Sequence, residues 1–220
     1  MSKTKISAKL VGLTHPVGIP ASTAEELIAY AARVSNPSNQ ANHSTADRLL
    51  RYCVDHKHWS VFEMANAVVE VKGPRDITRQ LLRHRSFSFQ EFSQRYSDEI
   101  EFTSRSQRRQ DTKNRQNSTD NLEAEVLQDC YEMQDKMRLA AETYYKAMRE
   151  AGVAKETARV ILPEGLTMST LYVNGTIRSW LHYLDVRDDE GVTQWEHVEL
   201  ARAVRGVLEP VLPTILNMGK

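Results

Sequence analysis

The chain of 220 residues is long enough for one domain, or at most two, around a sizeable core. Its 29 lysines and arginines are balanced by 29 aspartates and glutamates, so the net positive field that favours nonspecific DNA binding is missing. Cys53 and Cys130 belong to no CxxC pair, and a zinc or dithiol motif is therefore unsupported. We expect no metal, no membrane partner, and a cytoplasmic location, because the sequence has neither a signal-peptide pattern nor a long apolar run.

Short strands and helices follow one another without regular βαβ alternation. The first predicted elements are a strand at 9–13, a helix from a capping box at Ser22–Glu25 to about 34, a helix at 45–55, a strand at 67–72 and a helix at 75–84. A strand at 99–103 and helices at 122–151 and 154–162 follow. The chain then continues with a strand at 167–173, a helix after the Asn174-Gly175 turn, and a helix at 193–208. This order predicts a single α+β domain over 1–220, with a mixed sheet of a few strands, long flanking helices and no Rossmann topology.

Two segments stand out by their side chains. Residues 104–119 are polar and basic and predict a long mobile loop, either functional or disordered. The helix at 122–151 carries an apolar stripe at steps of three and four residues, which predicts a packing face. The stripe consists of Val126, Cys130, Met133, Met137, Ala140, Tyr144 and Met148.

The densest chemistry lies between Arg83 and Tyr96. Three arginines, one histidine and three serines fall within these fourteen residues, a composition that suits a receptor for a phosphate or another oxyanion. Interleaved aromatic residues suggest that part of the stretch is buried, although a solvated basic loop is an equal alternative from composition alone. Gln80, three residues before Arg83, is expected to share its helix face.

No standard nucleotide or nucleophile motif accompanies this stretch. GxGxxG, GxxxxGK[ST] and GxSxG are all absent from the sequence. Cys53 has no adjacent base and is expected to be a buried structural thiol. Further arginines, such as Arg159 among apolar neighbours, are read either as salt-bridge partners or as parts of an anion site assembled from separate segments.

The stretch resembles the RHRxxSxxxxSxR signature of flavin-dependent thymidylate synthases. The signature is complete in Arg83-His84-Arg85, Ser88, Ser93 and Arg95. Segments 58–63, 158–163, 178–187 and 194–197 are also similar to the family. This sequence departs from the family at Gln90 and Thr176, positions near which the family often has asparagine.

This resemblance implies reductive methylation of dUMP to dTMP, with methylenetetrahydrofolate as one-carbon donor, FAD as hydride source and NADPH as its reductant. It also implies a homotetramer with active sites between subunits and no covalent enzyme nucleophile. The implied dUMP residues are Gln80, Arg83, Glu91, Ser93, Arg95, Arg159 and Arg187, of which Arg187 would be catalytic. The implied FAD residues are Ser35, His58, Ser60, Glu63, Arg83, His84, Arg85, Arg178 and His182.

Two other functions stay open at the level of sequence. A module that binds single-stranded nucleic acid would explain the arginines with aromatic neighbours and the basic loop, although the neutral net charge argues against it. A flavin- and folate-dependent methyltransferase acting on RNA would share the cofactors but would not act on dUMP.

Overall fold

The protein is described by a computed structural model that covers residues 4–217. Its helices are α1 (Ala24–Ala32), α2 (Ala46–Asp55), α3 (Arg75–Leu81), α4 (Ala124–Glu150), α5 (Lys155–Ala158), α6 (Ile177–Arg187), α7 (Trp195–Leu208) and α8 (Pro213–Leu216). Its strands are β1 (Ser7–Leu13), β2 (Asn66–Pro74), β3 (Ser88–Glu91), β4 (Arg109–Gln110), β5 (Ser118–Thr119) and β6 (Met168–Thr176). This content confirms the predicted α+β class.

A four-stranded sheet in the order β1-β2-β6-β3 organises the chain. Every neighbouring pair is antiparallel. The prediction of a mixed sheet is therefore wrong. Alternate residues of β2, such as Val69 and Val71, point into the core, as a half-buried strand requires. They share one apolar cluster with residues of α6 and α7, and the buried Trp180 donates its indole N–H to the Ala67 carbonyl at 3.1 Å.

Local signals placed most elements correctly and their ends less well. Helix α1 is capped by Thr23 with Glu26, one residue later than the predicted capping box, because Thr23 takes the extended cap conformation. Strand β6 continues through Asn174 and Gly175 to Thr176, so the turn predicted there is wrong. Thr176 instead caps α6 by accepting the Ser179 N–H at 3.2 Å.

Residues 99–119 differ most from the sequence prediction. The strand predicted at 99–103 is reduced to one isolated bridge between Phe102 and Thr167. The segment predicted to be a loop contains the hairpin of β4 and β5, in which the Asp111 carboxylate accepts the backbone N–H groups of Lys113 and Asn114 at 2.8 and 3.1 Å. The expectation of a segment without secondary structure is therefore wrong, while its mobility remains a prediction.

Helix α4 confirms the predicted long helix but not the burial of its stripe. Only Ala141 and Tyr145 are buried, whereas Met133, Met137 and Tyr144 are more than half exposed. An exposed apolar face of this length is typical of a surface that contacts another molecule. Between residues 4 and 217, no helix combines the length and apolarity that crossing a bilayer requires.

Candidate active site

The arginine-serine stretch is anchored to the core by Phe87. This ring lies 4.4 Å from the Trp180 ring, measured between centroids, and is 7% exposed. Phe92 and Tyr96 are exposed, and the buried Phe87 confirms the prediction that part of the stretch is buried. Phe87 therefore fixes the start of β3 relative to α6, and the polar residues on either side of β3 face different surroundings.

At the start of the stretch, His84 belongs to a group of buried and half-buried side chains that we call the Arg187 cluster (His84, Tyr183, Arg187, His197). Arg187, the last residue of α6, donates its Nε–H to His84 Nε2 at 2.9 Å. The His84 ring lies edge-on to Tyr183 at 5.2 Å and to His197 at 6.5 Å between centroids. Residues from two helices and the motif thus converge at one point.

Burial and the Arg187 charge control protonation in this cluster. Desolvation, with a smaller contribution from the Arg187 charge, lowers the pKa of His84 to about 4, and burial lowers the pKa of His197 to about 3. Both rings are therefore neutral near pH 7, and His84 Nε2 is a lone-pair acceptor for Arg187. No carboxylate in residues 4–217 forms an ion pair with Arg187, so its positive charge stays available to a ligand.

Gln80 borders the Arg187 cluster on α3. Its side-chain amide contacts Gln194 and His197, two residues that the sequence analysis did not assign to the site. Helix α3 ends at Leu81, and Arg83 follows in a turn in which its backbone N–H donates to the Gln80 carbonyl at 3.3 Å; the Arg83 side chain is exposed. The predicted helix to about residue 84 is therefore too long, while the convergence of these two side chains on one ligand remains a prediction.

At the far end of β3 lies a second group, the Arg95 cluster (Arg75, Glu91, Arg95, Arg159). Glu91 accepts the Ser169 hydroxyl at 2.8 Å, and Arg95 forms a 3.3 Å ion pair with the exposed Glu156. Burial lowers the pKa of Arg75, and Glu91 opposes this effect while the Arg79 and Arg159 charges reinforce it. Arg75, which the sequence analysis missed, belongs to the cluster because its charge interacts with those of Glu91 and Arg159. Its guanidinium also donates to Gln94 at 2.7 Å.

Ser93 contributes its hydroxyl to the turn at this end, where it accepts the Arg95 backbone N–H at 3.3 Å. The structure thus brings Glu91, Ser93, Arg95 and Arg159 into one region and Gln80 and Arg187 into another. Within the described chain, no hydrogen bond or ion pair joins the predicted dUMP residues of one region to those of the other. The predicted set is consequently divided between the two ends of β3.

The predicted flavin residues fall into three groups. Glu63, Arg178 and His182 line a cleft of about 880 Å³ beside α6, the α6 cleft, where Arg178 and Glu63 form a 2.9 Å ion pair. His84 belongs to the Arg187 cluster instead. The remaining predicted side chains are exposed and make no side-chain hydrogen bond or ion pair with any part of residues 4–217. They are Ser35, His58, Ser60, Arg83 and Arg85.

The α6 cleft also contains groups that the sequence analysis missed. Trp59 offers an aromatic face, Ser86 a hydroxyl, and Lys57 and Arg205 positive charge. Aromatic, hydroxyl and cationic groups around one cleft suit a dinucleotide, which combines flat rings with a pyrophosphate. The signal for Ser86 was present in the sequence, inside the arginine-serine motif.

Metal ligation receives no support from the described side chains. Among residues 4–217, no three His, Cys, Asp or Glu side chains lie close enough to hold a metal ion. His56 and His58 approach each other, with ring centroids 6.1 Å apart, but they pack against Tyr52. Cys53 is buried, and burial raises the pKa of its thiol, so it is a poor nucleophile.

Comparison with known proteins gives consistent results. Residues 19–214 match the family model described as "Thymidylate synthase complementing protein". A relative from Paramecium bursaria Chlorella virus 1, named a probable flavin-dependent thymidylate synthase, is 49% identical over 96% of this chain and 97% of its own length. A flavin-dependent thymidylate synthase from Synechocystis is 42% identical with the same coverage of both chains.

A solved structure supports the fold independently. The UMP/dUMP methylase PolB from Streptomyces cacaoi, bound with 5-Br dUMP, superposes with a TM-score of 0.80. The alignment covers 98% of this chain and 95% of that one, at 24% sequence identity. At this identity the likeness establishes a shared fold.

Proposed function

Because the chain belongs to the family of thymidylate synthase complementing proteins, we propose that it is a flavin-dependent thymidylate synthase. It methylates dUMP to dTMP with methylenetetrahydrofolate as one-carbon donor and with FAD that NADPH reduces. The observation that carries this proposal is Arg187, a half-buried guanidinium that is held by the neutral His84 and has no carboxylate partner in the described residues. The complete arginine-serine signature and the names of the two relatives agree with it.

Arg187 supplies the electrostatic part of the reaction. Carbon 5 of uracil is a weak nucleophile, and it attacks the one-carbon unit more readily when N3 has lost its proton and the ring carries negative charge on N3 and its carbonyl oxygens. A guanidinium fixed by His84 stabilises that charge without having to reorganise. No protein thiol needs to add to the ring, which fits the buried and protonated Cys53.

The Arg95 cluster holds the phosphate of dUMP. A phosphate carries close to two negative charges at neutral pH, and arginine forks match its oxygens better than a single lysine would. Among residues 4–217, Arg95 forms an ion pair only with the exposed Glu156, an interaction worth ~1 kcal/mol or less, so exchanging it for a phosphate costs little. Ser93 and Arg159 add a hydroxyl and a second guanidinium, and Gln80 with Arg83 completes the set on the side of the base.

The α6 cleft fits FAD by size and by chemistry. Its volume of about 880 Å³ lies in the range of cofactor sites, and its groups include both aromatic and cationic side chains. Arg178 and Lys57 neutralise the pyrophosphate, while Glu63, Ser86 and His182 supply hydrogen bonds. When bound, reduced FAD supplies the hydride that the new methyl group needs. Ser35, His58, Ser60, Arg83, His84 and Arg85 are assigned to the same cofactor by their family positions.

We further propose a homotetramer whose active sites lie between subunits and also admit the folate. Two features support this assembly: the exposed apolar stripe of α4, and the division of the dUMP residues between the two ends of β3. Exposed side chains such as Arg83 and Arg85 then meet ligands held by a neighbouring chain. Both cysteines are unpaired, which agrees with a reducing cytoplasm as the compartment.

The test separates flavin binding from methylation. The purified protein should carry a flavin whose absorption spectrum shifts when dUMP is added, and it should release tritium from C5-labelled dUMP. Arg187→Ala should retain the flavin and its reduction by NADPH, while dTMP formation falls by a factor of about 10²–10³, the usual loss for a preorganised charge. Arg51→Ala, at an exposed position on α2, is the control.

A second variant tests the phosphate site. Arg95→Ala should weaken dUMP binding, because a phosphate contact acts equally in the ground and transition states. Normal turnover in Arg187→Ala would refute the ring-activation role. A colourless protein that shifts with single-stranded DNA would refute the whole assignment, and a yellow protein that releases no tritium would point to a methyltransferase for another substrate.

A further inference from the structure

Both polar atoms of the Gln80 side chain are engaged by the protein itself. Its Nε2 donates to Gln194 Oε1 at 2.7 Å, and its Oε1 accepts from His197 Nδ1 at 3.1 Å. A primary amide has two N–H groups and two oxygen lone pairs. One N–H and one lone pair of Gln80 therefore remain for a ligand beside the Arg187 cluster.

The direction of these hydrogen bonds is set by a buried ion pair. Arg105 contacts Glu196 Oε1, with Nη2 at 3.1 Å, and both side chains are at most one-tenth exposed. The other oxygen, Glu196 Oε2, accepts from Gln194 Nε2 at 3.1 Å. An ionised carboxylate accepts hydrogen bonds and donates none, so Gln194 must present its NH₂ group to Glu196 and its oxygen to Gln80.

Each link then fixes the next one. With the Gln194 oxygen facing it, Gln80 must present its NH₂ group there and its own oxygen to His197. His197 must carry its single proton on Nδ1, since burial lowers its pKa to about 3 and keeps the ring neutral. Reversing the Gln80 amide alone would place two oxygens against each other at Gln194. If Gln194 were reversed as well, its oxygen would face the Glu196 carboxylate.

We propose that this chain of side chains (Arg105, Glu196, Gln194, Gln80, His197), which we call the Gln80 relay, makes the enzyme select uracil over cytosine. The inference rests on the proposed function, in which Gln80 binds the base of dUMP. Uracil offers an N3–H donor and an O4 acceptor, whereas cytosine offers an N3 acceptor and an N4 amino donor. A Gln80 amide that could turn over would match either base, and a locked amide matches only one order of donor and acceptor.

Gln194 and His197 are therefore positioning residues, because they act on the base through Gln80. Gln194→Leu removes the link that transmits the polarity of Glu196, and Glu196→Gln removes the polarity with little change in shape. Both variants should bind dCMP more tightly relative to dUMP. We expect the ratio of the dCMP to the dUMP dissociation constant to fall at least about tenfold, because a Gln80 amide that can turn over no longer leaves a mismatched hydrogen bond with cytosine.

The experiment measures dUMP and dCMP affinities of the flavin-loaded protein by competition, together with thermal unfolding. Gln128→Met is the matched control, since Gln128 makes a comparable 3.0 Å contact to Glu132 on the exposed surface of α4. A lower ratio in either folded relay variant and an unchanged ratio in the control support the proposal. An unchanged ratio in a folded Glu196→Gln or Gln194→Leu protein overturns it.

Failure of the proposed function would look different. The wild-type protein would then show no preference for dUMP and no flavin shift with it. If wild type binds dUMP and forms dTMP while the relay variants keep the full discrimination against dCMP, the function stands and the relay has no role in specificity.

Discussion

Gly175 is the position where one added methyl group should disturb the site most clearly. It lies in β6, and its backbone takes no left-handed conformation, so alanine is compatible with the strand. A Cβ atom there would overlap the ring of Phe87 and also touch the Ser179 Cβ at 3.4 Å. Phe87 anchors the arginine-serine stretch and cannot move without displacing its neighbours.

The cost follows from the packing around Phe87. Ordinary carbon–carbon contact is about 3.5–4.0 Å, so the ring would have to retreat by roughly 1 Å or more. Trp180 at 4.4 Å and Tyr183 at 6.0 Å between ring centroids block that retreat. Overpacking of this kind costs about 1–3 kcal/mol, or roughly 2–12 °C in Tm for a chain of this size.

Thermal and urea unfolding of Gly175→Ala at matched protein concentration measure this cost. The control is Gly73→Ala in the neighbouring strand β2, where the nearest atom to a new Cβ is Thr78 Cγ2 at an ordinary 3.7 Å. Gly73→Ala should be neutral or slightly stabilising. Adding Phe87→Leu to Gly175→Ala should relieve the overlap. If Gly175→Ala unfolds like wild type, the steric account of Phe87 is wrong.

Two further predictions concern stability. Lys57 follows the end of α2 in the left-handed conformation, with φ +58°, and the next residue, His58, donates its N–H to the Cys53 carbonyl at 2.7 Å. Because glycine adopts this conformation without steric cost, Lys57→Gly should raise the free energy of unfolding by about 0.5–1 kcal/mol. Urea unfolding measures the change, and a lower free energy of unfolding would contradict the prediction. His197 has a folded pKa of about 3, below its unfolded value, so its contribution is fully present above about pH 6.5 and is lost as the pH falls toward the folded pKa. His197→Leu should lower the slope of unfolding free energy between pH 6.5 and 4 by up to about 1.4 kcal/mol per pH unit, and an unchanged slope would show that the ring is not buried neutral.

Elements with a strong local signal were predictable from the sequence. The β-branched run at 67–72 predicted β2, and the stripe of period three to four predicted α4. Strand β3 was missed because three of its four residues, Ser88, Gln90 and Glu91, are polar, and the segment becomes a strand only by pairing with β6. The segment predicted as a strand at 99–103 pairs through Phe102 with Thr167, the residue before β6, and forms a single β-bridge there.

The same distinction applies to the site. The arginine-serine motif identified His84 and Arg95 as functional candidates, but nothing local shows that His84 holds Arg187 or that Gln80 meets Gln194. Both contacts join residues more than one hundred positions apart, and they depend on how α3, α6 and α7 pack. Motif chemistry could therefore be predicted, whereas the partners that orient it required the fold.

Strand β3 explains why one motif serves two groups of ligand contacts. Four extended residues span about 13 Å, so the ends of β3 cannot both touch the same small group. His84 lies before this strand beside Arg187, and Arg95 lies after it beside Arg159. A nucleotide needs one guanidinium at its base and others at its phosphate, and a fixed strand between the two sets holds them apart without side-chain entropy.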